Sequence, residues 1–415
     1  MNIQKQREMA ERKDRIGISF LFYFALLIVL LLEQIPDWEN GLLWWGSVAF
    51  LGAIFLLSYR GTFIMERNYT VWMLAFSLFG ALSFFWAVKP SLVSVALKTV
   101  FVSMIVLFLV RSAIQDEKDV ERVMRVILIS VIINVVWLLL TNQSMFEATG
   151  GQDEVLDRLG TDSLWNANSI GMMSAIAMLF ALYFRKKTKR WIMRWFYIGI
   201  VALMILVTLL SGSRKALLMV LIGLCGFLFV TAKEKRLRAI LTIGMVVFFL
   251  YYLVMEVPFF HSIVGWRVES FLASFTGNGS VDSSTEVREA YVVDAIRAWR
   301  ERPLFGCGLD CYREINEIKK GMYAHNNYVE LLADLGVIGA VIYYSAYVYC
   351  FVKLIKSKSK NELRWLMLLL LILFLLMDYG SVSYNSLFNG MLLMLMFSFI
   401  SIHETKTVQV SFLLS

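Results

Sequence analysis

The feature that most constrains this chain is a series of long apolar runs that repeats along almost its whole length. A helix needs roughly 17 to 25 mostly apolar residues to cross about 30 Å of hydrocarbon. Of the residues, 59% are hydrophobic and 17% charged, with a mean hydropathy of +0.67, so little polar surface remains to coat a soluble globule. We predict an all-α integral membrane protein with about twelve spans in one membrane domain, residues 1–415. The runs lie near residues 16–32, 41–59, 69–88, 91–110, 124–141, 167–184, 193–210, 215–232, 239–257, 326–352, 365–378 and 387–402.

The distribution of Lys and Arg predicts the orientation of these spans, because positively charged loops are retained in the cytoplasm. With the N-terminus inside, the inner segments carry 27 basic residues and the outer ones 12, eight of which lie in one long loop. Both termini are therefore expected in the cytoplasm. The polar first fifteen residues and the run after them lack a small-residue cleavage pattern, so we predict no removable signal peptide. The net charge of +8 reflects this topology and not a nucleic-acid partner.

One outer connection, residues 258–324, is long enough to form an extracytoplasmic subdomain between the ninth and tenth spans. Ser283 and Glu286 form a capping-box pattern, and the helix that follows is expected to end at Pro303. Its apolar residues recur at roughly helical spacing, which predicts an amphipathic helix at the bilayer surface. A shorter outer loop, 142–166, could fold over it.

His325 is one of only three histidines and precedes the tenth span, at the predicted outer surface. A neutral imidazole there can accept a proton near neutral pH, with an expected pKa near 6 to 7. The alternative is an interfacial histidine bonded to backbone or lipid. Arg214 and Lys215 lie in a very short predicted outer turn, against the positive-inside trend. They either bind an anion or extend along the membrane surface, and an arginine matches phosphate oxygens well.

Four stretches of the sequence resemble the O-antigen ligase and polysaccharide polymerase family. They read "SGSRKAL", "TEVREAYVVDAIRAWRERPLFGCGLDCY", "AHNNYVELLADLGVIGAVIYY" and, before them, "DRLGTDSLWNANSIG". Their order and spacing also fit, and the specific motifs cover residues 155–340. Each block alone is loosely defined, whereas together they are fairly specific.

The resemblance implies a GT-C type membrane glycosyltransferase of the bacterial inner membrane. It would use a polyprenyl (undecaprenyl) diphosphate-linked glycan on the outer face, with a saccharide or lipid A core as acceptor, in O-antigen or capsule-type assembly. The family's functional residues fall on Arg214, Arg288 and His325. His325 would act as the base, and the arginines would bind the donor diphosphate together with Lys215.

The chemistry of such a reaction agrees with these residue types. A departing diphosphate concentrates negative charge, which arginines can stabilise where it develops. No Asp-x-Asp pair occurs in a predicted outer loop, so we expect no metal and no cofactor. A single displacement with inversion follows.

Further side chains are weaker candidates for contacting the sugars or supporting the site. Glu330 and Asp334 lie one and two turns after His325, where carboxylates in a membrane are costly, and they could orient the histidine or form a structural pair. Lys98 in the fourth span could meet a phosphate or pair with a carboxylate. Cys307 and Cys311 could form a local disulfide. The other candidates are Arg158, Asn166, Asn168, Asn326 and Tyr328.

Two other classes of function stay open from the residues alone. Twelve spans with both ends inside also suit a transporter or flippase of a lipid-linked glycan or small anion, although no matching broken helices appear in the two halves. A non-catalytic membrane scaffold would not need His325 and Arg214 to lie on the same face. Within the enzyme class, a polymerase and a ligase differ only in the acceptor, which the sequence does not identify.

Overall fold

A computed structural model describes most of the chain. The described residues are 20–33, 41–58, 63–65, 67–142, 158–160, 166–232, 235–276, 283–357, 361–404 and 408–410. The predicted polar N-terminus and most of the 142–166 loop lie outside them. Fifteen helices and a pair of three-residue strands organise this part of the chain.

The helices follow the predicted runs closely. They are α1 Phe20–Glu33, α2 Leu42–Ser58, α3 Arg67–Leu82, α4 Pro90–Ala113, α5 Glu117–Thr141, α6 Ala167–Lys187, α7 Trp191–Leu210, α8 Arg214–Thr231, α9 Arg236–Met255, α10 Trp266–Thr276, α11 Ser283–Glu301, α12 Tyr312–Ile315, α13 Asn327–Lys356, α14 Glu362–Asp378 and α15 Leu387–Glu404. The strands, β1 Phe63–Met65 and β2 Val408–Val410, pair antiparallel with Phe63 opposite Val410.

Nine of the described helices are long and apolar enough to span a membrane: α3 to α9, α13 and α15. The three remaining predicted spans fall on shorter helices, α1, α2 and α14, with 14, 17 and 17 residues. The structure therefore confirms a polytopic membrane protein, but not the count of twelve. Within the bundle α6 is central, because nearly all of its residues from Ile170 to Phe184 are buried, whereas the peripheral α9 is mostly exposed.

Several helices begin at a polar side chain that the sequence supplies. The Asp116 and Asp119 side chains form a reciprocal capping box at α5, and Asn166 caps α6. Ser213 caps α8, and Asn326 caps α13. Each cap satisfies amide groups that a first helical turn leaves unpaired. The last two caps fix the starting points of the helices that carry the candidate site residues.

The longest helix, α13, is broken at Gly336, whose φ of +65° is not helical. The chain preceding α12 fills the break. The Cys307 and Gly308 amides donate to the Ala333 and Asp334 carbonyls at 2.9 and 2.8 Å, and the Val337 amide donates to the Pro303 carbonyl at 2.9 Å. A Cβ on Gly336 would lie 2.3 Å from the Leu304 backbone. We predicted an uninterrupted tenth span, so this break is a correction, and the backbone ladder explains how its freed polar groups are satisfied.

The segment 258–324 contains more helix than the single one that we predicted. A turn at Pro258–Phe260 and a π-helical turn at His261–Gly265 lead into α10. A helix, α11, lies where the amphipathic one was predicted, and the four-residue α12 follows it. These elements place α10 and α11 beside the ends of α8 and α13.

Candidate active site

The turn between α7 and α8 is followed directly by two cationic residues. Gly212 has a φ of +56°, and a Cβ there would lie 2.9 Å from the Ile263 carbonyl of the π-helical turn, so glycine suits this close approach. The Ser213 hydroxyl accepts from the Ala216 amide at 3.4 Å and caps the helix. Arg214 and Lys215 therefore begin α8, at the end where the helix dipole disfavours positive charge and favours an anion.

Neighbouring elements hold these two side chains. The Arg214 guanidinium donates to the Arg267 carbonyl of α10 at 3.3 Å and lies over the Phe271 ring, 5.6 Å from its centroid. The Lys215 ammonium donates to the Tyr379 carbonyl at 3.3 Å, 5.4 Å from the centroid of that ring. The Lys215 contacts are with a neutral carbonyl and a ring face, so within the described residues no acidic side chain pairs with its positive charge.

Arg288 on α11 joins this group of cations. The charge of Arg288 interacts with those of Lys215 and His325. The charge of Lys215 also interacts with that of Arg214. Within the part of the chain that the structure describes, the half-buried Arg288 side chain has no hydrogen bond or ion pair. We name Arg214, Lys215 and Arg288 the cation cluster.

His325 lies beside the cation cluster in an unusual backbone conformation. Its φ is +54°, in the left-handed region that a non-glycine residue seldom adopts. Its ring lies 4.1 Å from the Tyr323 ring and 5.9 Å from the Tyr291 ring, centroid to centroid. The imidazole is therefore held between two aromatic neighbours.

Burial and the positive charges of Arg288 and Lys215 lower the pKa of His325 to about 4. The value differs from the pKa near 6 to 7 expected from the sequence, because two cations and partial burial both disfavour a charged imidazole. No described residue hydrogen-bonds to either ring nitrogen. The site thus combines a neutral imidazole with cations able to hold an anion.

Residues of α13 hold the chain on either side of His325. The Asn326 carboxamide oxygen accepts from the Tyr328 and Val329 amides at 3.0 and 3.4 Å. Glu330 accepts from the Ala324 amide at 2.5 Å. The side chains of Asn326 and Glu330 therefore accept hydrogen bonds from backbone amides close to His325 in the chain.

Asp334 makes structural contacts in the adjoining loop. Its carboxylate accepts from the Tyr312 and Asp310 amides at 2.7 and 3.1 Å, and the Tyr384 hydroxyl lies 3.3 Å from it. These bonds favour the structural pairing considered for Asp334, although its partners are backbone amides and a phenol. Asp334 holds the chain next to the broken part of α13.

The earlier block of candidates contacts the turn that carries Arg214. Arg158 donates to the Ser211 carbonyl at 2.8 Å and to the Asn168 side-chain oxygen at 3.0 Å. Asn166 accepts from the Asn168 amide at 2.9 Å. All three contacts therefore lie within the bundle next to the turn.

A buried polar network that the sequence analysis did not anticipate adjoins the start of α13. Asn327 is fully buried, and its side chain donates to the Tyr344 hydroxyl at 2.9 Å and accepts from the Ser383 amide at 2.9 Å. The predicted Tyr328 donates instead to the Leu375 carbonyl at 2.9 Å and stacks on Tyr344. The second Asn of "HNN" was the only signal for this network. It ties α13 to α14 and to the connector that contacts Lys215.

The cysteines and Lys98 lie outside the cation cluster. Cys307 and Cys311 are free and buried, so the local disulfide considered above is not formed. Lys98 lies 5.4 Å from the centroid of the Trp45 ring, and none of its contacts involves the described site. The described residues contain no group of three or more His, Cys, Asp or Glu that could hold a metal ion.

Residues 199–344 match a family model described as O-antigen ligase. The matched region includes Arg214, Lys215, Arg288 and His325, whereas Arg158, Asn166 and Asn168 precede it. No curated protein matches the chain.

Proposed function

We propose that the chain is a glycosyltransferase of the O-antigen ligase family, whose model matches residues 199–344, and that its donor is a polyprenyl diphosphate-linked glycan. The glycan passes to a hydroxyl of a saccharide acceptor during assembly of a cell-surface polysaccharide. The observation that carries the proposal is the cation cluster beside the neutral His325. This arrangement suits a reaction in which an anion leaves while a hydroxyl loses its proton.

The cation cluster is the site proposed for the diphosphate. Arg214 and Lys215 begin a helix, so the amides of its first turn add to their attraction for an anion. Arg288 approaches from a different element and has no acidic partner in the described chain. Three cations from two elements can stabilise the charge that develops on a departing diphosphate, so the reaction is proposed to need no metal.

His325 is proposed as the general base. The acceptor oxygen attacks the anomeric carbon, the bond from that carbon to the diphosphate oxygen breaks, and its electron pair leaves with the diphosphate. The acceptor proton passes to a ring nitrogen of His325. Because the nucleophile enters opposite the leaving group, a single displacement inverts the anomeric centre. A lowered pKa keeps the imidazole able to accept this proton before the donor binds.

An apolar groove near the cation cluster suits the polyprenyl chain of the donor. Residues of α7, α8 and α9 line it, and Leu209 of this lining lies two residues before Ser211, where the turn to Arg214 begins. Phe260, which precedes the π-helical turn, also lines the groove. A lipid in this groove would have its diphosphate close to the positive charges. The lining residues are Ala202, Ile205, Leu206, Leu209, Leu224, Thr242, Met245, Val246, Phe249, Leu250, Leu253 and Phe260.

The proposed setting is the bacterial inner membrane, with both termini in the cytoplasm and the site on the outer face. The apolar helices and the family support a membrane enzyme, and the Lys and Arg count supports the orientation. The same orientation would expose His325 to acceptors outside the cytoplasm.

Reconstitution in vesicles with an undecaprenyl diphosphate-linked repeat unit tests the proposal. A ladder of products from the donor alone would identify a polymerase, and a single product that requires an added lipid A core would identify a ligase. The matched control is the Arg288→Ala variant, which should give little product in either case. If no acceptor receives glycan but the vesicles take up the donor, the transporter class replaces the enzyme.

A further inference from the structure

The backbone conformation of His325 is one that other residues must stabilise. A left-handed φ of +54° is unfavourable for histidine, because its Cβ crowds the neighbouring carbonyl. Such a conformation persists only when surrounding bonds hold it. The residues on either side of His325 are therefore of interest.

The side chain of Glu330 holds the peptide on one side. It accepts from the Ala324 amide at 2.5 Å, and both Glu330 and Ala324 are completely buried. On the other side, Asn326 begins α13 with its cap, and the Asn326 carbonyl accepts from the Glu330 amide at 3.0 Å. His325 is thus the one residue between two anchored neighbours.

Stability alone does not explain the carboxyl group of Glu330. Its second oxygen, Oε1, is buried and has no hydrogen-bond partner in the described chain. A half-satisfied buried carboxyl group is costly, and an apolar side chain of similar volume is often as stable or more so. Rules of this kind are broken mainly at functional sites, where the cost maintains a particular geometry.

We propose that Glu330 is a positioning residue, which holds the Ala324 amide and so fixes the backbone from which His325 reaches the acceptor hydroxyl. The reach of the side chain matters for this role, and its ability to ionise does not. The inference rests on the proposed function, since it assigns Glu330 an effect that passes through the catalytic base.

Two substitutions separate reach from the ability to ionise. Glu330→Asp keeps the carboxyl group but shortens the side chain by one carbon–carbon bond, about 1.5 Å, which takes the acceptor away from the Ala324 amide. We expect kcat to fall about 10- to 100-fold, as a misplaced catalytic group requires, with the KM for the donor unchanged. Glu330→Gln keeps the reach and an acceptor oxygen, so kcat should stay within about threefold of wild type.

A double-mutant cycle with His325→Ala then tests whether the effect passes through the histidine. In that background Glu330→Asp should cause no further loss, because no imidazole remains to be positioned. Glu121, a buried carboxylate of α5 that contacts Lys187, is the matched control. Its Asp and Gln variants should alter thermal stability and leave kcat unchanged.

The outcomes are distinct. A tolerated Asp with an inactive Gln, or a further loss in the His325→Ala background, would overturn the positioning role. A normal wild type with the expected loss in Arg288→Ala, but equal rates for Glu330→Asp and wild type, would reject this inference and leave the proposed function intact. Absence of transfer by the wild type itself would overturn both.

Discussion

The acid limit of the reaction is a direct test of the charges around His325. Burial, Arg288 and Lys215 lower the pKa of this imidazole to about 4. At pH 5 the free enzyme would then hold about 90% of it neutral, whereas a pKa near 6.5 would leave about 3% neutral. We therefore expect kcat/KM to persist to about pH 5 and to fall below it, as the base becomes protonated. The two cases differ about 30-fold in active base at pH 5.

Arg288→Gln is the perturbation that moves this limit. It removes one positive charge from beside His325, so the protonated imidazole becomes less unfavourable and the pKa rises. Since burial is the largest cause of the lowered value, we expect the acid limit to move up by about 0.5 to 1 pH unit. Titration of the donor's own phosphates is common to both enzymes, so the difference between their profiles reports on the protein.

The assay measures initial rates of transfer with a fluorescent donor in vesicles between pH 4 and 8. Brief exposure to each pH, followed by an assay at pH 7.5, separates reversible titration from inactivation. His261→Ala and His403→Ala are the controls, because these histidines pair instead with Glu269 at 3.3 Å and with Glu117 at 3.0 Å. A wild-type limit at pH 6 to 7, or identical limits with and without Arg288, would refute the reasoning.

Four further outcomes are expected. His325→Ala should insert normally and retain binding of undecaprenyl diphosphate but lose transfer by roughly 100- to 10,000-fold in a single-turnover assay, with His325→Gln almost as poor; near-normal transfer by His325→Ala would make the histidine structural. Arg214→Ala and Arg288→Ala should each raise the donor KM strongly, and lysine at either position should rescue only partly, because a point charge replaces a bidentate group; full rescue at both would reduce the role to simple charge. Transfer should survive EDTA, and its loss with recovery on adding a divalent metal would contradict the arginine mechanism. In intact cells a cysteine at the exposed Glu289 should react with an impermeant thiol reagent and one at the exposed Lys189 should not; the reverse pattern would invert the topology.

The sequence predicted those parts of the fold that depend on local chemistry. Long apolar runs correspond to helices because the lipid interior leaves the backbone no other partners. The helix after Ser283 could likewise be recognised from its cap pattern and spacing, and α11 begins at Ser283.

The convergence of the site could not be derived from composition or periodicity. Arg214, Arg288 and His325 are far apart in the chain, and the family resemblance was what grouped them. The structure adds the electrostatic contacts of His325 with Arg288 and Lys215, and the rings of Tyr291 and Tyr323. Their effect on the pKa depends on burial and on distances between elements, which a single sequence does not encode locally.

Long-range backbone pairing also lay beyond the sequence. The break in α13 at Gly336 depends on the chain at Pro303 to Gly308, whose backbone pairs with the residues around it. Asp334 was a candidate for orienting the histidine or for a structural pair, whereas its carboxylate accepts from the amides of Asp310 and Tyr312. In each case the partner is a backbone group whose position only the tertiary fold determines.

The ladder between Pro303 to Gly308 and the broken part of α13 has a consequence for biogenesis. The first half of the ladder is synthesised before the second, so the segment after α11 cannot adopt its final form until α13 has left the ribosome and entered the bilayer. Arg288 would meet His325 only at that late stage, and a nascent chain that stops before Gly336 would lack a finished site. A quality-control step that detects whether α13 is complete would therefore also distinguish finished from unfinished active sites.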